Sequence, residues 1–250
     1  MGTELVVIPF SHFCEKARWG LELAGIEFTE RRVLPMLHMP VVRWKLRGTD
    51  AGEADAHSSR FSTPVLVTSA GPIAGSTAIL RYADAGLFTS PEVDAWVDRF
   101  DDTLGPHARR MAYFLVFESP GVLVELAAAN TDVFQTGLLR VGERFLIPRM
   151  RAAMRIDREG FERSHTVVQD VMDEVADAIA DGRPYLTGDT FTAADLTFAA
   201  LLAPLVLPPD YGAIMPSPER FDAETRALIA ETRAHPAGEL ALAIYRKHRR

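Results

Sequence analysis

The chain has 250 residues and a formal net charge of −7, with 27 Lys and Arg against 34 Asp and Glu. The basic residues are scattered apart from the closing Lys-His-Arg-Arg, so neither the charge nor its distribution favours a nucleic-acid-binding surface. The hydrophobic content of 48% is enough for a real core in one large or two modest domains, while the single cysteine excludes an internal disulfide framework and a multi-cysteine metal site.

The first part of the chain alternates strand and helix patterns. In chain order they predict a strand at 4–9, a helix over 11–24 stopped by Gly25, a strand at 27–34, a short or irregular helix within 39–48, a mobile polar loop at 49–62, two strands around a Ser-Ala-Gly turn within 64–73, and a helix over 76–86 with Ser76 as its N-cap.

The second part has almost no strand signal. Helical spacing begins at 93–104, Pro106 and Pro120 interrupt the next segment, and 160–181 carries a strong amphipathic stripe. An apolar helix at 192–206 and a surface helix at 217–234 come after it. No basic-then-apolar leader opens the sequence and no apolar run reaches about 18 residues. We therefore expect a soluble, cytoplasmic protein that contacts no membrane and no nucleic acid.

The segment Ser11-His12-Phe13-Cys14 lies where the first strand gives way to the first helix. Unpaired backbone N–H groups and the positive end of the helix dipole favour an anion at such a junction, and the Ser11 hydroxyl adds a donor. Ser11 is thus a candidate for stabilising a bound thiolate. The alternative, and the commoner role for such a serine, is a plain helix cap.

Cys14 is expected on the first turn of the same helix, where a thiolate is also stabilised. Without a second cysteine it cannot close an intramolecular disulfide, but it could form a mixed disulfide with a small thiol. The alternative is a small buried hydrophobe, which is what a lone cysteine usually is.

Two further sites could contact a ligand. Thr63-Pro64 precedes a strand, and a cis bond there would leave the Thr63 backbone groups facing outward. Gly75-Ser76-Thr77 opens a helix with a glycine and two hydroxyls, which makes a suitable carboxylate seat.

Other polar patterns are weaker indicators of a ligand site. Thr192 and Asp195 have capping-box spacing and are interpreted as structural. The seven histidines show no metal-ligand spacing. Residues 111–117, MAYFLVF, are typical of core but could line an apolar pocket, and the preceding Arg109 and Arg110 could face a cleft or the solvent.

Taken together, these patterns resemble the glutathione transferase superfamily. The matching features are the β-α-β-(α)-β-β-α order, Ser-x-x-Cys opening the first helix, Thr-Pro before the third strand, Gly-Ser opening the last helix of the first part, and a helical second part with Thr-x-x-Asp. The resemblance covers nearly the whole chain, and SHFCEKARWGLELAGI is especially similar to bacterial members. It implies an α/β thioredoxin-like N-terminal domain, 1–86, a linker at 87–92, and an all-α helical-bundle C-terminal domain, 93–250.

The resemblance also implies roles for particular residues. Ser11 would face the sulfur of glutathione, with Cys14 at the position of the resolving cysteine in glutaredoxins. The peptide would be held by Phe13, Thr63 before a cis-Pro64, Gly75, Ser76 and Thr77, and Thr192 with Asp195 would support folding of the second domain. A homodimer is the family expectation.

Two departures stand out. Gly75 replaces the Glu or Gln that is common before the serine in the family, and the helical part is longer than usual, with the extra residues roughly between 105 and 160. The first functional hypothesis is a transferase that joins glutathione, or another low-molecular-weight thiol, to a small apolar electrophile. The second is thiol–disulfide or reductive chemistry through Cys14. The third is a non-catalytic binding or scaffold protein that retains the fold.

Overall fold

The fold is taken from a computed structural model that describes residues 2–52 and 59–249. A sheet of four strands occupies the first part: β1 (Glu4–Val7), β2 (Thr29–Arg32), β3 (Val65–Thr68) and β4 (Gly71–Ala74), in the order β2-β1-β3-β4. Strand β1 is parallel to β2, whereas β3 runs antiparallel to both β1 and β4. The predicted mobility of the 49–62 loop falls largely on residues 53–58, outside the described residues.

Three helices cover this sheet: α1 (His12–Leu23), α2 (His38–Lys45) and α3 (Ser76–Ala83). Successive side chains of a strand point to opposite faces, so alternate residues of β1 show which helices lie on which face of the sheet. Leu5 and Val7 pack with buried residues of α1 and α3, while Val6 packs with Val42 of α2. The sheet is therefore covered on both faces, which is why β1 is wholly apolar after Glu4.

Helices make up most of the remainder. They are α4 (Pro91–Arg99), α5 (Gly105–Glu118), α6 (Val122–Asn130), α7 (Val133–Met154), α8 (Arg158–Ala178), α9 (Ala193–Val206), α10 (Ala223–Ala234) and α11 (Pro236–His248), with a π-helical turn at Phe100–Leu104 joining α4 to α5. Helix α9 is buried along almost its whole length and lies at the centre of the largest apolar cluster. This architecture confirms the predicted fold class. The domain bounds stay a prediction, and α4 begins within the predicted linker.

One predicted helix start is wrong by one residue. The N-cap of α3 is Gly75, with φ of 92°, and Ser76 is the first helical residue. L side chains rarely adopt that backbone conformation, so a glycine suits this N-cap. Helix α3 also ends at Ala83, and a short 3₁₀ turn at Ala85–Leu87 comes after it.

Within the described residues, no single helix combines the length and the apolar composition that crossing a bilayer requires. The segment Pro91–Glu118 together with Val122–Asn130 meets those two criteria only as a pair bent by 111°.

Helix α1 carries charged side chains that are buried. Glu15, Lys16 and Arg18 are each at most 2% exposed, because α1 lies between the sheet on one side and the helices on the other. Glu15 accepts hydrogen bonds from Arg18, from Arg249 near the C-terminus and from the backbone N–H of Gly212. One acidic side chain on α1 therefore organises two distant segments of the chain.

Lys16 makes the corresponding link to the π-helical turn. Its Nζ lies 2.8 and 2.9 Å from the two carboxylate oxygens of Asp101 and 2.5 Å from the hydroxyl of Thr77, which itself donates to Asp101. Burial lowers the pKa of Lys16, and the Asp101 charge opposes that effect. The lysine is fully buried, whereas the Asp101 side chain keeps 23% of its exposure.

Asp101→Asn is expected to lower the free energy of unfolding by about 3–5 kcal/mol, because it leaves the Lys16 ammonium buried without its counter-ion. Lys16→Met should cost less, since the partly exposed carboxylate of Asp101 remains hydrated. Urea unfolding measures both values. Asp94→Asn, which breaks the exposed Arg81–Asp94 pair, is the control and should change stability by less than about 1 kcal/mol. Equal losses for the Asp101 and Asp94 variants would contradict this account.

Candidate functional site

A polar cleft opens beside the N-termini of α1 and α3. Its volume is about 390 Å³. The predicted peptide-binding residues line it together, although they come from three separate segments of the chain: Phe13, Thr63, Pro64, Gly75, Ser76 and Thr77. The structure thus brings the sequence-predicted cofactor residues into one wall.

The Thr63–Pro64 bond is cis, in agreement with the expectation from the resemblance. Pro64 immediately precedes β3, and its carbonyl accepts a hydrogen bond from the Gly75 N–H. This bond joins the start of β3 to the start of α3. The two segments expected to hold different parts of one ligand are therefore fixed relative to each other.

Charges of both signs border the polar cleft. Arg60 and Arg109 contribute two guanidinium groups, and Asp101 and Asp102 contribute two carboxylates. Glutathione is a zwitterion, with an ammonium group and two carboxylates, so this donor and acceptor set fits it. Gly75 adds room, because no heavy atom lies within 4 Å of the place where a Cβ would be.

Thr77 has a second task that the sequence does not reveal. Its hydroxyl is held by Lys16 and Asp101 in the buried ion pair described above. Thr77 therefore anchors α3 to α1 and to the π-helical turn, and its hydroxyl is already engaged in that network.

Ser11 lies at the N-cap of α1 with extended backbone, and its side chain makes no capping hydrogen bond. It is half-buried in the wall of a second pocket, whose cavity volume is about 70 Å³. Most of that wall is apolar and comes from α5, α6, α9 and α10 and the loops beside them, including Leu115, Leu126 and Ile229. Plain capping, the alternative considered for Ser11, is therefore not what its hydroxyl does.

Cys14 lies directly beneath this junction. Its thiol is within hydrogen-bonding range of the Ser11 and Thr63 side chains, and it is fully buried among Leu5, Ala17 and other apolar residues. Burial raises the pKa of the Cys14 thiol, and the hydrogen bonds from Thr63 and Ser11 only partly offset this. A protonated thiol without solvent access is a poor nucleophile, so the geometry favours the structural interpretation of Cys14.

His12 and Phe13 fasten the start of α1 to α5. The Nε2 of His12 lies 3.0 Å from the Gly105 carbonyl oxygen, to which the neutral ring donates. A Cβ at Gly105 would collide with the Phe13 ring, so only glycine lets the two helices approach this closely. The residue beside Ser11 is therefore a tether between α1 and α5.

Arg109 on α5 connects the polar cleft to the apolar pocket. It lines both, and its guanidinium carbon lies 5.9 Å from the centroid of the Phe13 ring. Its charge also lowers the pKa of His12 and opposes the rise in the pKa of Tyr113, which burial takes to about 12. Arg110 turns away and donates to Met154 and Ser164, so the two neighbouring arginines have different roles.

The segment 111–117 serves both purposes considered for it. Met111 is buried in the main core, whereas Ala112, Tyr113, Leu115 and Val116 line the apolar pocket. A helix presents different faces to different surroundings, so the aromatic and Met content alone could not separate the two uses.

The Thr192–Asp195 pair is structural. Asp195 accepts hydrogen bonds from the backbone N–H and the hydroxyl of Thr192 and from the Leu186 N–H, and burial raises its pKa. Among the residues that the structure describes, no three His, Cys, Asp or Glu side chains are grouped as metal ligands.

Comparison with known proteins decides the family. The model of the glutathione S-transferase N-terminal domain matches residues 10–85, and that of the C-terminal domain matches residues 158–223. Together they cover more than half of the chain. The chain belongs to the glutathione S-transferase superfamily. The N-terminal match includes Ser11, Thr63 and Ser76, whereas α4 to α7 lie between the two matched spans.

Solved structures of the superfamily have the same fold. A glutathione S-transferase from Ceriporiopsis subvermispora, in complex with glutathione, aligns with a TM-score of 0.59 and 17% identity, covering 99% of this chain and 98% of that one. A theta class enzyme from Xanthomonas axonopodis pv. citri with glutathione bound gives 0.55 and 18%, with coverage of 96% and 97%.

A beta-etherase from Sphingobium sp. strain SYK-6 is also similar, with a TM-score of 0.56, 17% identity and coverage of 97% and 99%. No curated protein sequence matches the chain. At these identities the alignments establish the fold alone.

His12 should make stability pH-dependent. Burial, assisted by the Arg109 charge, lowers its pKa from 6.5 to about 3, so between these values the unfolded chain binds a proton that the folded chain does not. The contribution of His12 to the free energy of unfolding is therefore fully present above pH 6.5 and declines as the pH falls toward 3. The contribution lost between about pH 7.5 and pH 5 is about 2 kcal/mol.

The measurement is urea unfolding at both pH values for the wild type and His12→Gln, whose amide can still donate to Gly105. Between these two pH values, the free energy of unfolding of the variant should fall by about 2 kcal/mol less than that of the wild type. An unchanged difference between the two pH values would show that His12 does not titrate as described.

Proposed function

We propose that this protein is a glutathione-dependent transferase that conjugates, or otherwise processes, a small apolar electrophile. The observation that carries the proposal is that a charged cleft and an apolar pocket share Arg109 in their walls, with Phe13 lining the cleft and Ser11 lining the pocket. A reaction between a polar thiol and an apolar acceptor requires two such compartments with one shared boundary.

The tripeptide would lie along the polar cleft. The backbone of Thr63 is in position to pair with the cysteinyl residue, and the start of α3 at Ser76 suits the γ-glutamyl carboxylate. Phe13 would provide an apolar surface between them. The two Arg and two Asp side chains around the cleft support a ligand that carries both signs of charge.

The thiol would reach Ser11, whose hydroxyl makes no capping bond and would exchange its contact with the Cys14 thiol for a hydrogen bond to the bound sulfur. The N-terminus of α1 and the Arg109 guanidinium add positive potential at the same place. A charge-assisted hydrogen bond contributes about 1.5–3 kcal/mol and a helix terminus about 0.3–1 kcal/mol. These are sufficient to lower a thiol pKa by one to two, which takes about 1.4–2.7 kcal/mol.

The acceptor would lie against the apolar pocket, whose wall shares Arg109 with the polar cleft. Tyr113 keeps its proton at neutral pH, since burial raises its pKa to about 12, so its hydroxyl can donate a hydrogen bond there. The pocket therefore suits an apolar molecule on which negative charge develops during attack. Arg109 and Tyr113 would receive that charge.

The alternatives have less support. Chemistry at Cys14 requires an accessible thiolate, and this thiol is buried with a raised pKa. The scaffold hypothesis draws on Gly75, which removes one side-chain partner, and on the enlarged helical part; the charged cleft that lies beside Gly75 favours ligand binding instead. We further propose the domain division 1–86 and 93–250, cytoplasmic action and a homodimer, in keeping with the family.

Ser11→Ala should lower turnover with a model aromatic electrophile by about 10- to 150-fold while glutathione affinity changes little, because one charge-assisted hydrogen bond to the thiolate is lost. Steady-state kinetics and a thermal-shift titration with glutathione measure the two effects.

Ser90→Ala is the matched control, since Ser90 is also an N-cap serine but accepts a hydrogen bond from Val93 away from the cleft. It should cost about 1 kcal/mol of stability and leave turnover unchanged. Undiminished turnover of the Ser11 variant would remove this residue from the mechanism. No thermal shift of the wild type with millimolar glutathione would favour a scaffold or another thiol.

Arg109→Met should raise the pKa of the bound thiol by roughly one, because a nearby positive charge favours the thiolate. Titrating the thiolate absorbance of the glutathione complex measures it. Arg110→Met is the control, since the Arg110 side chain points to Met154 and Ser164. The same shift in both variants would assign the effect to overall charge and not to Arg109.

A further inference from the structure

Helix α7 exposes a row of large apolar side chains. Phe134 and Val141 are 76% and 75% exposed, and Leu138 and Phe145 are 48% and 55% exposed. Spacings of four, three and four residues put these four side chains on one face of the helix, and we call them the α7 stripe. They belong to none of the apolar clusters that the described residues form. Contiguous exposed apolar surface of this kind marks an interaction site.

The buried side of α7 lies opposite the stripe. The buried residues of the helix are Thr136, Leu139 and Met150. At 3.6 residues per turn, each of them lies about 130° or more around the helix axis from the middle of the stripe. The contacts that hold α7 in the fold therefore leave the stripe facing outward.

Basic residues border the stripe. Residues 133–155 carry five basic side chains and one acidic one, in a chain whose net charge is −7. They are Arg140, Arg144, Arg149, Arg151 and Arg155, and Glu143. Arg144 and Arg149 are exposed and lie on opposite sides of the stripe, about 90° and 50° around the axis from its middle. Glu143 lies about 170° from the middle, on the side that packs against the protein. The charge that α7 places beside the stripe is therefore positive.

The arginines beside the stripe are available to an anion. The Arg144 guanidinium carbon lies 4.7 Å from the centroid of the Phe145 ring, and Arg149 donates a hydrogen bond to the Phe145 carbonyl oxygen. Among the described residues, neither arginine forms an ion pair with a carboxylate, whereas Arg151 pairs with Glu118. Two cations thus lie against the apolar row and can meet an anionic partner.

We propose that α7 binds the surface of an anionic lipid bilayer, with the helix axis parallel to the membrane plane. The α7 stripe then enters the boundary between the headgroups and the acyl chains, while Arg144 and Arg149 reach phosphate groups on either side of it. A helix with an apolar face and flanking basic residues binds a membrane in this way without crossing it. The proposal replaces the sequence-based expectation of no membrane contact, and it does not depend on the proposed enzymatic function.

Charge and shape favour a bilayer over another protein surface. A second copy of the chain would bring the same arginines toward each other, whereas lipid phosphates attract them. The stripe also protrudes from one helix and runs for about 16 Å between Phe134 and Phe145, so a protein partner would need a groove to receive it. A fluid bilayer accommodates such a ridge without a preformed groove.

The overall charge of −7 does not prevent this contact. At physiological ionic strength, charges separated by more than about 8 Å are largely screened from each other. Headgroups in contact with the stripe therefore interact with Arg144 and Arg149 more strongly than with acidic residues elsewhere on the protein. The distribution of charge, and not its total, decides the interaction.

Co-sedimentation of the full chain with vesicles tests the proposal. The wild type should bind vesicles of phosphatidylcholine that contain roughly one-third phosphatidylserine, should bind pure phosphatidylcholine vesicles far more weakly, and should be released by high salt. An arginine near an anionic surface raises binding about fivefold, so Arg144→Gln with Arg149→Gln should lower it about 25-fold. Phe134→Ser with Phe145→Ser should lower it at least tenfold, because two rings no longer enter the apolar boundary.

Matched changes on and just after α2 are the controls. Arg43→Gln with Arg47→Gln removes the same total charge, and Trp44→Ser removes an aromatic side chain that is 64% exposed. Both variants should bind anionic vesicles as the wild type does.

Three outcomes would overturn the proposal. The first is a wild type that stays in solution with anionic vesicles. The second is binding that the α2 changes reduce as much as the α7 changes do, because the effect would then belong to total charge or to α2. The third is a wild type that leaves vesicles unbound and, in sedimentation equilibrium, forms oligomers that the Phe134 and Phe145 changes dissociate. The stripe would then meet a second copy of the chain.

An environment-sensitive fluorescent label establishes the orientation. Single cysteines introduced by Val141→Cys and Glu231→Cys place the label in the stripe and at an exposed position of α10, while native Cys14 is fully buried and stays unlabelled. Anionic vesicles should shift the emission of the label at 141 to shorter wavelength and leave the label at 231 unchanged. Equal shifts at both positions would contradict binding through α7.

Discussion

The structure depends on the burial of three charged side chains on one helix. Glu15, Lys16 and Arg18 follow one another closely on α1 and are removed from water where the sheet meets the helices. A charge in such surroundings is tolerable only when it is paired and hydrogen-bonded. The partners, Asp101 and Arg249 among them, come from the π-helical turn and the end of the chain. The first part of the chain therefore reaches its final packing only when the helical part is in place.

This arrangement fixes the N-terminus of α1 without a serine cap. Helix α1 is held by its buried charges and by the bond from His12 to Gly105, and Ser11 makes no capping bond. The Ser11 side chain instead lines the apolar pocket, which shares Arg109 with the polar cleft. Because contacts with the helical part hold α1 rigid, the Ser11 side chain at its N-terminus can be positioned for a ligand.

The order of strands and helices up to Gly86 was predictable because each element there has its own period and its own stop signal. The positions of Ser11, Thr63 and Ser76 followed from the family pattern. Other features were not predictable, since they depend on partners far along the chain. Lys16 has the same appearance in the sequence as a solvent-exposed helical lysine, and only Asp101, 85 residues away, makes it a core residue. Thr77 was interpreted as a ligand contact because its partners, Lys16 and Asp101, are also distant in the sequence.

Helix α7 was missed as an element because it has apolar residues on two faces. One set, around Leu139, packs on α6, and the other set, which includes Phe134, Val141 and Phe145, is exposed, so no single amphipathic period emerges from 133–154. The packed face of α7 also bears on the candidate site. Leu126, against which α7 packs, lies in the wall of the apolar pocket. Because protein interiors are closely packed, the position of α7 constrains that wall of the pocket through Leu139.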